Sequence, residues 1–480
     1  MFRKITCHAR SVNSSATPLQ VLQHVHESEP AAGLAALVTG TSAGVSIIGY
    51  HPIARWTLTR GSKPQVWIHQ DYASTAPSDD NATTDTPLEA WQDLISAPTH
   101  AAAAPWPEHA SWIGFVSYEM GRHTEIPQMP RDAFVQWPLM RWELYEWYLI
   151  QHTNAAGSPA PWQLVHLAPA DAAVDTLGNP PILLLQPPRD QAQPHPMRAS
   201  GKLDQSADLA ALSASIATAL RYIAAGDIYQ VNLAARWQCS SASPPPSLFE
   251  RLCHISPAEF SAYIQFDHHA IISASPELFI RRQGDHVITR PIKGTRRRVL
   301  DDAALDQQLA RELLASEKDA AELAMIVDLL RNDLGRVCSP GSVKVKSPRN
   351  LDKLPTLWHT SATLSGSLQP QLAPRGWQHI IADMCPGGSI TGAPKIRAMQ
   401  IIGECEAFPR ELYCGNIGWI SPWGNGELNV AIRTMLMHHD KVAIYAGAGI
   451  VADSTPDDEC REIMAKASAM LQAIGITAPP

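Results

Sequence analysis

Side chains with the potential for chemistry concentrate in the second half of the chain. Residues 289–298, TRPIKGTRRR, place one lysine, Lys293, among four arginines. A lysine is nucleophilic only as the neutral amine, and burial or nearby cations favour that form. The stretch is therefore either a basic surface patch or the setting of a reactive amine, and its own residues leave both interpretations open.

Two helical patterns carry carboxylates that could share one hard cation. Glu459, Glu462 and Lys466 fall at i, i+3 and i+7 of the last helical pattern, so they lie on one face. Glu322, with Asp319 three residues before it, belongs to an earlier helix. Magnesium prefers a few carboxylates, several waters and an anionic substrate group. The spacing predicts a magnesium site between two helices, although a solvated face with a Glu462–Lys466 ion pair would show the same pattern.

Glycine-rich segments suggest where an anionic ligand would bind. The loop GGSITGAP carries Ser389 and Thr391 and ends at Pro394, which suits the first turn of a helix. Free N–H groups and hydroxyls at such a helix start can bind an anion. In YAGAGIVADS, a strand pattern runs into a glycine loop, where Gly447 and Gly449 would let backbone N–H groups approach a ligand closely.

Two further polar residues lie within strand patterns. Arg433, in VAIRTM, is expected to face inward, where an arginine usually has a carboxylate partner. His359, in LWHTSATLSG, is either a core histidine or a ligand contact. Together, the acids, the arginine, the lysine and the helix start describe one pocket for a small polyanion bound with magnesium.

The elements that must position these groups mix long strands with long helices. Helical periodicity predicts DLAALSASIATALRYIAAGD, then LDQQLARELLASEKDAAELAMIVDLLRNDLG as one or two helices, and STPDDECREIMAKASAMLQAIG. Alternation predicts the strand YQVNLAARW, two hairpins turning at DHH and QGD, and three strands within GNIGWISPWGNGELNVAIRTMLMHHDKVAIYAGAG. Antiparallel strands mixed with long helices indicate an α+β fold.

The composition excludes several classes of protein. The chain has 480 residues, 45% of them hydrophobic, and a formal net charge of −8, which argues against nucleic-acid binding through phosphates. Its eight cysteines are scattered without metal-ligand spacing and favour reduced thiols. No apolar run is long enough for a membrane span and no signal-peptide core is present, so we expect a cytoplasmic protein without membrane contact.

Nine segments resemble the motifs of the chorismate-utilising enzymes, which include anthranilate, aminodeoxychorismate, isochorismate and salicylate synthases. They are GDIYQVNLAARW, FSAYIQF, SASPELF, TRPIKGT, AELAMIVDLLRNDLGRV, GGSITGAPKIRAM, YCGNIGW, VAIRT and GAGIVADSTPDDECREIMAKA. The resemblance implies an α/β sandwich of two large antiparallel sheets flanked by helices, with the active site in a cleft between subdomains. It implies an N-terminal region at 1–155, a Pro/Ala-rich linker or irregular segment at 156–200, and a chorismate-binding catalytic domain at 201–480, intertwined with the first region.

Residue by residue, the resemblance implies roles for most of the groups described above. The implied magnesium ligands are Glu322 and Glu462, with Glu459 adjoining. The implied substrate-binding residues are Ser389, Thr391, Tyr413, Arg433, Gly447, Gly449 and Lys466. Glu277, in SASPELF, is implied as the general acid and base, and His359 as a catalytic residue near the ring.

The PIKGT segment separates branches of the family. Anthranilate synthases typically carry alanine at the position of Lys293, whereas aminodeoxychorismate synthases carry a lysine that is understood to attack the ring. The resemblance therefore implies component I of an aminodeoxychorismate synthase, which forms 4-amino-4-deoxychorismate for 4-aminobenzoate and folate synthesis with Mg2+ as its cofactor. No cysteine lies in a glutaminase-like segment, so ammonia is expected from a separate glutaminase subunit.

Three alternatives stay open from the sequence. Component I of anthranilate synthase would have the same fold, but Lys293 argues against it. Isochorismate synthase would use a lysine elsewhere to activate water. A non-catalytic chorismate-binding protein would have no need for the combination of Glu277, Lys293, Glu322 and Glu462.

Overall fold

The structure, a computed structural model, describes residues 2–28, 33–39, 44–73, 86–98, 107–121, 133–135, 137–154, 156–169 and 201–476. The α-helices in these ranges are α1 (Pro18–Ser28), α2 (Pro87–Ser96), α3 (Leu209–Ala224), α4 (Pro245–Ile255), α5 (Ala303–Ala315), α6 (Glu317–Val337), α7 (Gly376–Met384), α8 (Lys395–Cys405) and α9 (Pro456–Ala473). Short 3-10 turns lie at Ala373–Arg375 and Gly388–Ile390.

The strands of the same ranges pair antiparallel throughout. They are β1 (Ile5–Val12), β2 (Leu34–Val38), β3 (Gly44–Leu58), β4 (Gln65–Ile68), β5 (Trp112–Val116), β6 (Met140–Thr153), β7 (Trp162–Pro169), β8 (Lys202–Gln205), β9 (Gln230–Ser240), β10 (Phe260–Phe266), β11 (His269–Ser275), β12 (Leu278–Gln283), β13 (His286–Arg290), β14 (Ile292–Arg297), β15 (Lys344–Lys353), β16 (Leu357–Ser367), β17 (Gly392–Ala393), β18 (Asn416–Ile420), β19 (Gly426–Asn429), β20 (Thr434–His438) and β21 (Lys441–Ile450).

The long strands β3 and β6 join two sheets. They pair from Gly44 opposite Thr153 to Leu58 opposite Met140, with a register shift at Pro52. The first sheet continues on one side through β7 to β1 and on the other through β2, β10, β11, β20 and β21 to β9. The second continues through β5, β18, β19, β12 and β13 to β16, which also pairs with β14 and β15.

Two hydrophobic cores hold the layers together. One lies between the sheets and under α2, α6 and α7, with members such as Ile264, Ile271, Ile280, Ile417, Leu428, Trp91, Ile326 and Trp377. The other lies between the first sheet and α1, α3, α4, α8 and α9, with members such as Val21, Ile216, Phe249, Ile402 and Ile463. Side chains from both sheets meet in the first core while helices cover outer faces, so the predicted sandwich of two antiparallel sheets flanked by helices is confirmed.

The helices that carry predicted site residues begin at side-chain caps. Ser316 separates α5 from α6, and its hydroxyl accepts a hydrogen bond from the backbone N–H of Asp319. Thr455 caps α9 in the same way through Asp458. Acidic residues fill the first turn of both helices, where they complement the positive end of the helix dipole. The long pattern left open as one helix or two is therefore two helices, α5 and α6.

Three predictions on secondary structure need correction. The segment expected to hold three strands holds four, β18 to β21. The predicted middle strand is divided into β19 and β20 by the turn between them. Arg433 lies in that turn with a φ of 50°, outside a strand. The segment 156–200 was predicted to be irregular, but Trp162–Pro169 is β7, whose alternate side chains pack into the sheet core; residues 170–200 lie outside the described ranges.

All eight cysteines are free thiols, as predicted. Among the helices that the structure describes, none combines the length and the apolar character needed to span a bilayer.

Candidate active site

Lys293 lies on β14 at an irregularity of the second sheet. It is opposite Thr360 of β16, and the register shifts between Lys293 and Thr295. Gly294 occupies this bulge with a φ of 79°, which glycine adopts without strain. A Cβ at that position would lie 2.9 Å from Leu313 and 3.0 Å from Asp319, so helices α5 and α6 press directly on the bulge. This packing fixes the strand where the lysine departs from it.

The electrostatic surroundings of Lys293 come from the site and not from the neighbouring arginines. Burial lowers the pKa of Lys293; the carboxylate of Glu322 opposes this shift, and the ammonium of Lys466 adds to it. Arg290 pairs with Glu259, and Arg296 pairs with Asp319, so both guanidiniums are neutralised elsewhere. The sequence surrounds Lys293 with arginines as candidate cations, but the cation that lowers its pKa is Lys466.

Glu277 lies between β11 and β12 and is almost fully buried. Its Oε1 accepts a hydrogen bond of 2.8 Å from the hydroxyl of Ser389. Burial raises the pKa of Glu277, and the hydrogen bond from Ser389 and the charges of Lys293 and Lys466 only partly oppose that shift. A carboxyl group with a raised pKa holds its proton more readily near neutral pH, as a general acid requires.

The predicted metal ligands lie on α6 and α9. Burial raises the pKa of Glu322, and the charges of Asp319 and Glu462 raise it further against the opposing lysines. Burial also raises the pKa of Glu459, whose Oε1 accepts a hydrogen bond of 2.6 Å from the hydroxyl of Ser454. For Glu462, burial is outweighed by Lys466, 2.6 Å away, so the pKa is lowered.

The carboxylates fit a magnesium ion by their chemistry more than by their present spacing. Within the described ranges, no group of three or more His, Cys, Asp or Glu side chains is arranged to hold a metal. However, Glu322, Glu459 and Glu462 are hard oxygen donors, and the charge of Glu462 raises the pKa of the other two. A cation between α6 and α9 would relieve this repulsion, and magnesium commonly takes only one or two protein carboxylates.

Arg433 is a partly buried cation without an acidic partner in the described part of the chain. Burial alone lowers its pKa, and its Nη1 donates one hydrogen bond of 3.3 Å to the hydroxyl of Ser256. Among the described residues, no carboxylate lies within the 4.0 Å that defines an ion pair, so these residues do not supply the carboxylate partner expected from the sequence. A guanidinium placed in this way is suited to a carboxylate of a ligand.

His359 lies on β16, close to Arg433. Its Nδ1 is 2.8 Å from the hydroxyl of Thr295, and its Nε2 is buried without a hydrogen-bond partner among the described residues. Burial lowers the pKa of His359 to about 4, with the charge of Arg433 as the next cause. The imidazole is therefore neutral at physiological pH, with one ring nitrogen left for a further contact.

Gly447 and Gly449 lie within β21 and not in a loop after it, as the sequence suggested. They pair with Ala234 and Asn232 of β9. A Cβ at Gly447 would lie 2.9 Å from the hydroxyl of Tyr413, and one at Gly449 would lie 3.8 Å from Nζ of Lys293. The two glycines therefore leave open the space that these side chains border.

The loop before α8 differs from the predicted anion site. Ser389 lies in the 3-10 turn, and its hydroxyl is used by Glu277. The hydroxyl of Thr391 donates to the carbonyl of Gly387 at 2.9 Å, so it closes the loop. Strand β17 then separates this loop from α8, which begins at Lys395, so the two hydroxyls do not lie at the helix start.

Lys466 and Tyr413 join the site from two other elements. Nζ of Lys466, on α9, donates a hydrogen bond of 3.1 Å to the carbonyl of Gly447. The ring of Tyr413 stacks on Tyr445 with a centroid distance of 5.5 Å, and both residues are buried. Both predicted residues thus border the space above β21.

Sequence reasoning missed two amides on β9. The alternation of YQVNLAARW predicted the strand but gave no role to Gln230 and Asn232, which are 1% and 7% exposed. Nε2 of Gln230 would lie 2.7 Å from a Cβ at Gly449, and Oδ1 of Asn232 would lie 2.9 Å from one at Gly447. A prediction that β9 is covered on both faces would have singled out these two amides, because polar residues on a strand buried on both faces require partners.

The geometry unites most of the predicted residues. Lys293, Glu277, Glu322, Glu462 and Lys466 act on one another electrostatically. The site suits acid–base and nucleophilic chemistry on an anionic ligand. It combines two carboxyl groups with raised pKa, Glu277 and Glu322, with the lowered pKa of Lys293 and with Arg433, which lacks a described acidic partner.

Comparisons with known proteins identify relatives of the chain by sequence and by fold. The sequence profile of the chorismate binding enzyme family matches residues 50–472. Aminodeoxychorismate synthase component 1 of Salmonella typhimurium is 36% identical over 82% of this chain and 83% of its own length. The crystal structure of anthranilate synthase component I from Streptococcus pneumoniae TIGR4 superposes with a TM-score of 0.70 at 28% identity, covering 89% of this chain and 92% of that one.

A more distant structure shares the fold alone. The menaquinone-specific isochorismate synthase from Escherichia coli superposes with a TM-score of 0.71 at 18% identity, over 99% of this chain and 96% of that chain. The profile match includes all the site residues described above. On these grounds, the chain belongs to the chorismate binding enzyme family.

Proposed function

We propose that this chain acts as component I of an aminodeoxychorismate synthase, which converts chorismate and ammonia to 4-amino-4-deoxychorismate and water. The observation that carries the proposal is the position of Lys293, where burial and Lys466 lower the pKa of the amine beside the charges of Glu277 and Glu322. The 36% identical relative of that name supports the same reaction. The product would serve the synthesis of 4-aminobenzoate and folate.

The first step uses Lys293 as nucleophile and Glu277 as acid. The neutral Nζ forms a bond to C2 of the ring, both ring double bonds shift, from C1=C2 and C5=C6 to C1=C6 and C4=C5, and the bond from C4 to its hydroxyl breaks. The hydroxyl takes the proton of Glu277 and leaves as water, because a free hydroxide is a poor leaving group. The products of this step are a secondary ammonium on Lys293, a carboxylate on Glu277 and one water.

The second step reverses the electron flow. Ammonia forms a bond to C4, both ring double bonds shift back to C1=C2 and C5=C6, and the bond between C2 and Lys293 breaks. The amine of Lys293 returns neutral, and one proton of the new C4 ammonium can pass to Glu277. The net change replaces one water by one ammonia, so neither an oxidant nor a reductant is needed.

Two different groups of residues would bind the two carboxylates of the substrate. The guanidinium of Arg433 would pair with one, since its only described hydrogen bond goes to a neutral hydroxyl. Glu322, Glu459 and Glu462 would hold magnesium, which would neutralise the other carboxylate. The neutral His359 would use its free Nε2 to contact the substrate near the ring.

Ammonia would come from a separate glutaminase subunit. The designation component 1 in the relative's name supports an assembly with a second subunit. Free ammonia is scarce near neutral pH because most of it is ammonium, so delivery by a partner would raise its local concentration.

The product identifies the reaction directly. Purified protein is incubated with chorismate, magnesium and an ammonium salt, and a lyase that acts on 4-amino-4-deoxychorismate is added afterwards. Formation of 4-aminobenzoate supports the proposal. Direct formation of fluorescent anthranilate would instead assign the chain to anthranilate synthase, the activity of the Streptococcus pneumoniae protein. In the same assay, Lys293→Ala should form no product. Lys344→Ala is its matched control, because Lys344 is an exposed lysine on β15.

A further inference from the structure

Strand β9 presents buried amide groups to the site without hydrogen-bond partners. Both side-chain atoms of Gln230 and the Oδ1 of Asn232 lack a partner within the described ranges. A buried polar atom left unpaired destabilises the folded state, so native proteins satisfy nearly all of them. Unpaired groups that persist next to a binding site indicate that the ligand supplies the missing partner.

The backbone holds Asn232 firmly in place. Its N–H donates to the carbonyl of Thr391 at 2.8 Å, and its carbonyl accepts from Nη2 of Arg410 at 2.7 Å. Arg410 is itself buried and bound to Glu406 at 2.6 Å. Since β9 is anchored on both sides of this residue, the direction of the Asn232 side chain is set by the fold.

The amide oxygen of Asn232 lies beside the space above Gly447. A Cβ at that glycine would be 2.9 Å from Oδ1 of Asn232 and 2.9 Å from the hydroxyl of Tyr413. The carbonyl of Gly447 accepts from Lys466, whose ammonium also pairs with Glu462. The ammonium of Lys466 is thus already engaged by two other oxygens.

The chemistry of the reactants limits what can fill this position. Oδ1 is an acceptor, so its partner must be an N–H or O–H donor. The carboxylates and the ether oxygen of chorismate are acceptors only. The remaining donors are the ring hydroxyl that leaves and the ammonia that replaces it.

We propose that Asn232 is a specificity-determining residue whose amide oxygen accepts a hydrogen bond from the donor at the reacting position, the ring hydroxyl or the incoming ammonia. This inference rests on the proposed function for the identity of the two donors. In this way β9 would favour reactants that have a hydrogen-bond donor at the reacting position.

The test compares three variants of the full chain. Asn232→Leu removes the acceptor at similar volume, and Asn232→Asp keeps an acceptor oxygen in place. Gln238→Leu is the matched control, since Gln238 lies on the same strand with the same alternation but pairs with Ala443, near the far end of β9. The readouts are the Kd of chorismate without ammonium, the KM for ammonium, and the Tm without ligands.

For Asn232→Leu we expect roughly a tenfold rise in one of the two constants, the typical effect of one lost hydrogen bond to a buried group. A higher Kd identifies the ring hydroxyl as the donor, and a higher KM identifies ammonia. Asn232→Asp and Gln238→Leu should retain values close to those of the wild type. The Tm of Asn232→Leu should be unchanged or higher, because the variant no longer buries an unpaired oxygen.

Unchanged Kd and KM in Asn232→Leu would overturn the proposal. A lower Tm would also overturn it, because the residue would then stabilise the fold and not the reactants. The proposed function fails separately, if the wild type forms anthranilate, and the Kd and KM of the variants still test Asn232 in that case.

Discussion

Replacing Arg433 by methionine should weaken chorismate binding without weakening the fold. The guanidinium is partly buried, and its only described hydrogen bond goes to Ser256 at 3.3 Å. An arginine cannot discharge by losing its proton at physiological pH, so the free protein carries this charge without an acidic neighbour among the described residues. Methionine has a similar length and a Cβ, so the left-handed backbone at a φ of 50° is equally strained in both proteins.

The expected magnitude follows from the contact that would be lost. A hydrogen bond to a charged group contributes about 1.5–3 kcal/mol, which corresponds to about a 10- to 150-fold rise in the Kd of chorismate. The variant loses one weak contact to a neutral hydroxyl, which slightly destabilises its folded state. It also no longer carries an unpaired charge away from water, which removes an energetic cost of folding. Replacement of buried charges by apolar side chains is often neutral or stabilising, so the Tm should stay level or rise.

Calorimetric titration of chorismate and thermal unfolding measure the two effects. Arg331→Met makes the same change of charge at an exposed arginine that pairs with Asp328 at 3.3 Å, and it should change neither value. The pKa of His359 provides a third readout by NMR. It should rise from about 4 when the neighbouring charge is removed, yet stay below 6.5 because burial remains.

Binding of chorismate to Arg433→Met with the wild-type Kd would refute the role of the guanidinium. A clear fall in Tm would refute it as well, since the residue would then be paired within the fold in a way that the described contacts do not contain.

Three further predictions concern the metal, a buried acid and the nitrogen source. Glu322→Gln should raise the magnesium concentration needed for half-maximal rate while the Tm without magnesium stays level or rises, as measured by titration and calorimetry; an unchanged requirement would contradict the ligand role. Burial raises the pKa of Glu411 to about 7, so its contribution to stability is complete below about 4.5 and is lost as pH rises through 7. Denaturant unfolding at about pH 5 and pH 8 should therefore show that the free energy of unfolding of the wild type falls by up to about 3 kcal/mol more than that of Glu411→Gln. An equal change in the two proteins would contradict this. With glutamine as the only nitrogen source, product should form only after a glutaminase subunit is added; sustained formation without it would contradict the need for a partner.

Local sequence patterns predicted many of the strands and helices. Alternation found β9 and the two hairpins β10–β11 and β12–β13, and helical periodicity found α3, α6 and α9. These elements could be predicted because their own side chains show one period over many residues. The long pairing of β3 with β6, which joins the two sheets, depends on contacts between residues 82 or more positions apart in the chain, and the sequence pattern contains no signal for it.

The site was predictable in its residues but less so in its pairings. Lys293 and Glu277 were found through motifs, and the structure brings them close enough to act on each other. That Lys466 and not an adjacent arginine acts on Lys293 follows from the packing of α9 on β21, which brings together residues that are 173 positions apart. Arg433 was expected to pair with a carboxylate, as inward-facing arginines usually do, but the described residues supply none, and the proposed function therefore assigns it a carboxylate of the substrate.

The most direct test of the account is the mass of the protein during incubation with chorismate and magnesium in the absence of ammonia. The second step cannot proceed without ammonia, so the account predicts a covalent adduct equal in mass to chorismate minus one water. Peptide mapping should place the adduct on Lys293, and Lys293→Ala should show neither the adduct nor turnover with ammonium salts. Unmodified wild-type protein, together with ammonium-supported turnover by Lys293→Ala, would contradict the account.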